Sequence, residues 1–151
     1  MPPLKAEIIS NNKLFHNFIN ETKSTPSAHR GMADFLESKQ YPWELLGNAL
    51  TTFLDAIIAK IPVEERIRGI IHPQAVLEGN QIVVEAGAII EAGAFVSGPC
   101  YICSDAVVRH AAYIRGQVFV GQNAVVGHTT EVKGSILLDE AKAAHFAYVG
   151  N

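Results

Sequence analysis

The chain has 151 residues, 48% of them hydrophobic and 18% charged, with 12 Lys and Arg against 15 Asp and Glu for a formal net charge of -3. That length supports one domain-sized core without metal or disulfide staples. The balance excludes a disordered or polyionic chain, and with it a sequence-independent nucleic-acid binder. No stretch reaches the roughly 18–20 apolar residues of a membrane span, and the start MPPLKAEIIS has no basic segment before an unbroken apolar run, so a cytoplasmic protein without membrane contacts is expected.

From residue 1 to about residue 69 the apolar residues follow helical spacing. Leu14, Phe15 and Phe18 share a face, and Thr25-Pro26 is a cap and first-position pair for a helix carrying Met32, Phe35 and Leu36. Pro42 then starts a clearer helix, with Glu44 near its positive end and a stripe of Leu46, Leu50, Phe53, Leu54, Ile57 and Ile58 running to Lys60 before Pro62. Trp43 and this stripe are expected to cap the core of the C-terminal domain.

From Ile70 the period changes to six. Steps of six from Val84 give Ile90, Val96, Ile102, Val108, Ile114, Val120, Val126, Val132 and Leu138. Four residues after each stand Ala88, Ala94, Cys100, Ala106, Ala112, Val118, Ala124, Thr130, Ile136 and Lys142, small or β-branched until the last. Neither a strand period of two nor a helical period of 3.6 keeps two such ranks in phase. A coil of three hexads does, each hexad being one short strand and a turn, with the aliphatics stacked inside. This is a parallel β-helix over residues 70–151, preceded by a helical cap over 1–69. Earlier hexads begin at Ile71 and Leu77, so one extra residue is expected around Val83. Cys100 falls in the inward small rank and Cys103 just after an aliphatic, pointing outward; the C-x-x-C spacing therefore reads as structural, with Cys103 oxidisable if exposed.

Residues eighteen apart become neighbours in such a coil. Arg115 and Lys133 occupy equivalent corners, where two cations about 5 Å apart repel by roughly 1 kcal/mol in water. A phosphate between them relieves that repulsion; the alternative is that they splay into solvent or pair with acids such as Glu131. His110 and His128 are also eighteen apart, with Phe146 at the same corner of the next coil. Two stacked imidazoles do not complete a metal site, and no metal is expected. His145 lies near Tyr148 where the hexads weaken, and an imidazole suits a general base that accepts a proton from an amine.

The segments Gly127-His128-Thr129-Thr130-Glu131-Val132-Lys133-Gly134 and Lys142-Ala143-Ala144-His145-Phe146-Ala147-Tyr148-Val149-Gly150 resemble the hexapeptide-repeat acetyltransferase domain of sugar-1-phosphate nucleotidylyltransferases. The nearest members join N-acetylglucosamine-1-phosphate uridylyl transfer to glucosamine-1-phosphate acetyl transfer, and a Trp-bearing helix before the β-helix is similar to their short, pyrophosphorylase-like relatives. The resemblance runs from about Ile71 to Asn151. It implies a left-handed coil, unlike ordinary right-handed parallel crossovers, and a homotrimer. It further implies an amino-sugar 1-phosphate as substrate and acetyl-CoA as co-substrate. By the same resemblance His145 is the general base, Arg115 and Lys133 hold the sugar phosphate, and Tyr148 contacts the sugar. No G-x-G-T-R-like loop precedes the β-helix, so nucleotidyl transfer is not expected. The family continues past the position of Asn151 with coils that carry the acetyl-CoA groove, so a chain truncated at that end is expected. The alternative function is a non-catalytic oligomerisation or sugar-phosphate-binding regulatory module.

Overall fold

A computed structural model describes residues 30–150 together with Asn20 and Lys23. Hexads fold here as short strands separated by turns, and the strands stack into three parallel walls of a β-solenoid. Wall one comprises β1 (Ile70–Ile71), β4 (Ile89–Ile90), β7 (Val107–Val108), β10 (Val125–Val126) and β13 (Lys142–Ala143). Wall two comprises β2 (Val76–Glu78), β5 (Phe95–Ser97), β8 (Tyr113–Arg115), β11 (Glu131–Lys133) and β14 (Tyr148–Gly150). Wall three comprises β3 (Ile82–Val84), β6 (Cys100–Ile102), β9 (Val118–Val120) and β12 (Ser135–Leu137). The coil interior is filled by the expected aliphatics from Val84 to Val132, all fully buried, with Ala88, Ala94, Ala106, Ala112 and Ala124 between them where the triangle narrows.

Coil length varies, and the variation sits at the corner between walls two and three. Glu78 pairs with Ser97 and Ile82 with Cys100, so the three residues Gly79, Asn80 and Gln81 span what Gly98 and Pro99 span in the next coil. This is the expected extra residue. Further on, the pair Gly116 and Gln117 is matched by Gly134 alone, since Ser135 pairs with Val118. The hexad pattern does not anticipate that loss. It corrects the count after Val132: Leu137, not Leu138, pairs with Val120 in the interior, Ile136 faces outward opposite Phe119, and Lys142 is exposed on wall one.

The outward residues of wall three are large and apolar, and helices cover them. Val83, Tyr101, Cys103 and Phe119 form one buried cluster with Met32, Leu36, Leu45, Leu50, Leu54 and Ile58. Helix α1 (Met32–Glu37) supplies Met32 and Leu36 at i and i+4, and α2 (Asn48–Ile58) supplies Leu50, Leu54 and Ile58 at i, i+4 and i+8. The helix expected from Pro42 therefore begins later. Pro42–Leu45 is a separate 3-10 turn, stabilised by Glu44, whose carboxylate accepts from the Tyr41 N–H at 2.9 Å; Gly47, with φ +61, then redirects the chain into α2. Trp43 also departs from expectation: it stacks on Tyr41 with ring centroids 4.7 Å apart and stays 67% exposed. The expected Leu14, Phe15 and Phe18 face and the Thr25-Pro26 cap lie outside the described residues. Among the described residues, no helix is long and apolar enough to cross a membrane.

Cys100 faces the coil interior, and Cys103 faces outward but lies under the helices; both are thiols and both are fully buried. Burial pushes the Cys100 thiol well above the usual range, and the nearby Cys103 adds to that. Both thiols are expected to resist a colorimetric thiol reagent in the native protein and to react together once it is unfolded in denaturant. Rapid labelling of Cys103 without unfolding would show that the helices leave wall three.

Candidate functional site

The strands of wall two project alternate residues outward, so parallel stacking converts sequence spacing into two exposed columns. One column runs Val76, Phe95, Tyr113, Glu131, Tyr148; the other runs Glu78, Ser97, Arg115, with Lys133 and Gly150 continuing the register. Arg115 and Lys133 are thus next to each other on one face, about 4.8 Å apart along the stack. Tyr148 follows Glu131 in the adjoining column and is 59% exposed. Gly150 makes room for it: a Cβ at that position would lie 2.8 Å from the Tyr148 hydroxyl. The ring therefore lies across the backbone toward the column of Arg115 and Lys133.

Arg115 already has an anionic partner. Its Nη1 donates to Glu131 Oε1 at 2.6 Å, and its guanidinium carbon lies 5.8 Å from the centre of the Tyr113 ring. The Glu131 hydrogen bond raises the Arg115 pKa further above its already high value. Tyr113 is held edge-on by Phe95 at 5.6 Å. The pairing with Glu131 that the sequence offers as an alternative is therefore present, and it places a carboxylate in the same patch as the two cations.

His145 sits at the corner between β13 and β14, three residues before Tyr148. Because the coil through Gly134 is one residue short, Ala143 pairs with Val126, and His145 rather than Phe146 follows His128 at this corner. The two imidazoles stack with centroids 4.8 Å apart and planes 22° from parallel, and Phe146 presents its edge to both. His110, in the coil before His128, is turned to its own surroundings, its Nδ1 lying 2.7 Å from the Ala92 carbonyl. Among the described residues, no group of three or more His, Cys, Asp or Glu is placed to hold a metal ion.

A second polar cluster lies under the helices on wall three. The carboxylate of Glu85, 6% exposed, accepts from Arg30 Nε at 2.9 Å, Arg30 Nη2 at 2.5 Å, the Tyr101 hydroxyl at 2.7 Å and the Ser104 N–H at 2.7 Å. Burial opposes its ionisation, but these four donors prevail and hold it below the usual carboxylate range. With every oxygen engaged, Glu85 has no lone pair aimed at open solvent for chemistry, and its role is to join the segment before α1 to wall three. Sequence reasoning missed this group. Its only local signal is an acid directly after an inward aliphatic, where Cys103 and Gly121 stand in the following coils.

No family model matches the chain, and no curated protein matches it.

Proposed function

We propose that wall two carries the acceptor site of an acetyl-CoA-dependent N-acetyltransferase acting on an amino-sugar 1-phosphate such as glucosamine-1-phosphate. The observation that carries this reading is the register that stacks Arg115 and Lys133 on one exposed face, with Tyr148 beside them and His145 at the adjoining corner. Two cations so placed suit a phosphate dianion. Tyr148 then offers a hydroxyl and a ring to the sugar. In the transfer step His145 takes a proton from the amino group as nitrogen bonds to the acetyl carbonyl carbon; the carbon–sulfur bond breaks, and coenzyme A leaves as the thiol once that proton reaches its sulfur.

The same reading includes a left-handed sense of coiling, helices at the N-terminal end that act as a cap, a cytoplasmic location and assembly as a homotrimer. Wall one supports the last of these, because its outward column begins with Ile70 and Ile89, 65% and 37% exposed, and continues through the half-buried Val107 and Val125.

The test incubates the full chain with glucosamine-1-phosphate and acetyl-CoA and follows free thiol, alongside light scattering for the oligomeric state. Thiol release should require the amino sugar, and His145→Ala should lower it by about 10²- to 10⁴-fold, the range for a general base. Arg115→Ala and Lys133→Ala should act mainly on KM for the sugar phosphate. One observation favours a second reading: Glu131 already neutralises Arg115. On that reading the protein is a non-catalytic oligomerisation or sugar-phosphate-binding module. A stable oligomer that binds glucosamine-1-phosphate, releases no thiol and is indifferent to His145→Ala would establish the second reading and end the first.

A further inference from the structure

We infer that His128 is the positioning residue for the base His145, an inference that rests on the acetyltransferase reading of wall two. A general base must present a nitrogen lone pair along a fixed line, and a histidine usually has its ring set by a hydrogen bond from its other nitrogen. His145 lacks that arrangement. It is exposed, and among the described residues no side chain or carbonyl hydrogen-bonds either of its ring nitrogens. What fixes its plane is aromatic contact: the His128 ring against its face at 4.8 Å and the Phe146 ring edge-on at 5.6 Å.

His128 is itself well anchored. It is half-buried, and its carbonyl accepts from the Phe146 N–H at 3.1 Å, which ties the peptide after His145 to the preceding coil. Phe146 takes φ +53, a left-handed turn that brings its ring back to within 4.9 Å of His128. The two backbones come unusually close here. A Cβ on Gly127 would lie 2.7 Å from the backbone nitrogen of His145, so glycine before His128 lets the two coils approach closely enough for the imidazoles to stack. The short coil at Gly134 completes the arrangement, since a count of eighteen from His128 falls on Phe146 and only a coil of seventeen residues places His145 in the stack.

With its ring plane fixed, His145 is held at the corner that leads into β14 and the wall that carries Tyr148. His128 acts through His145 and touches no reacting atom. Its loss should therefore lower kcat and leave substrate binding intact.

The experiment compares His128→Ala and His128→Phe in the full chain. In thiol-release assays His128→Ala should lower kcat about tenfold or more, as misplacement of a base by a fraction of an ångström to an ångström does. KM for glucosamine-1-phosphate should stay within about twofold, because the phosphate clamp is untouched. His128→Phe, which keeps a flat ring in the stack, should recover most of kcat. In parallel, the His145 ring protons, assigned by comparison with His145→Gln, carry an upfield ring-current shift from His128. That shift should vanish in His128→Ala and return in His128→Phe. The inference is overturned if kcat is unchanged in His128→Ala, if KM rises in step with the loss, if phenylalanine rescues nothing, or if the His145 resonances ignore His128. Should the unaltered protein turn over no substrate, the transferase reading fails, and the ring-current comparison still decides whether His128 orients His145.

Discussion

Replacing Phe119 with alanine is expected to lower folding stability by about 3–5 kcal/mol, the range for removing a large buried aromatic. Phe119 is fully buried at the centre of wall three, stacked on Tyr101 at 5.7 Å and against Phe53 of α2 at 6.3 Å. One side of the resulting cavity is a hydrogen-bonded wall, held in register by β6 and β12, which cannot move in to fill it. The other side is a pair of short helices. They are expected to loosen first, so helical circular dichroism should be lost at lower urea than the strand signal. Tyr148→Ala on the uncovered wall two is the matched control and should fall within about 0.5 kcal/mol of the unaltered protein. Equal losses for the two variants would show that covering wall three contributes nothing special to stability.

Glu85→Ala is expected to cost about 3 kcal/mol, toward the lower end of what removing one partner of a buried ion pair costs, since the Arg30 side chain keeps 18% exposure. The substitution removes the acceptor of the Tyr101 hydroxyl and the Ser104 N–H as well as the carboxylate opposite Arg30. Urea unfolding of Glu85→Ala and Glu85→Gln measures this, with the amide recovering part of the loss; a cost under about 1 kcal/mol for alanine would mean that the network is replaceable by solvent. The same carboxylate makes stability depend on pH. Its folded pKa lies below the unfolded value of about 4.3. Its contribution is therefore fully present above about pH 4.3 and is lost as pH falls through the folded value. In Glu85→Gln that acid-side loss should shrink, and an unchanged slope between about pH 5 and pH 2 would assign the acid sensitivity to other carboxylates.

Both variants act where helices meet solenoid, and that junction is the least legible part of the chain. The inward column from Val84 to Val132 can be read directly because only a six-residue coil keeps those positions aliphatic, and the extra residue near Val83 shows as a seven-residue step from Leu77. The missing residue at Gly134 leaves no such mark. Ile136, Leu137 and Leu138 are all aliphatic, so a count in sixes runs through them and selects Leu138 in place of Leu137. The anomaly surfaces only at Lys142, where a charge stands in a column of small residues. Arg115 and Lys133 are legible as neighbours because the coil between them has eighteen residues, whereas the His128 and His145 stack spans seventeen, and a count in eighteens puts Phe146 there instead. The partnership of Arg30 with Glu85 joins residues 55 apart and follows no period at all. Likewise Trp43 follows its helix in sequence pattern, yet the 3-10 turn at Pro42–Leu45 points it away from wall three.

The shrinking corner between walls two and three, from Gly79-Asn80-Gln81 to Gly134 alone, has an evolutionary consequence. Single-residue insertions and deletions can be absorbed there without breaking any ladder, because the turn changes length while the residues on either side keep their pairing and their aliphatics inside. Each such event changes the corner itself, while every later rung keeps its place over the rung before it. A solenoid of this kind can therefore remodel one edge by length changes alone, a route to new specificity along that edge that leaves the foldable scaffold intact.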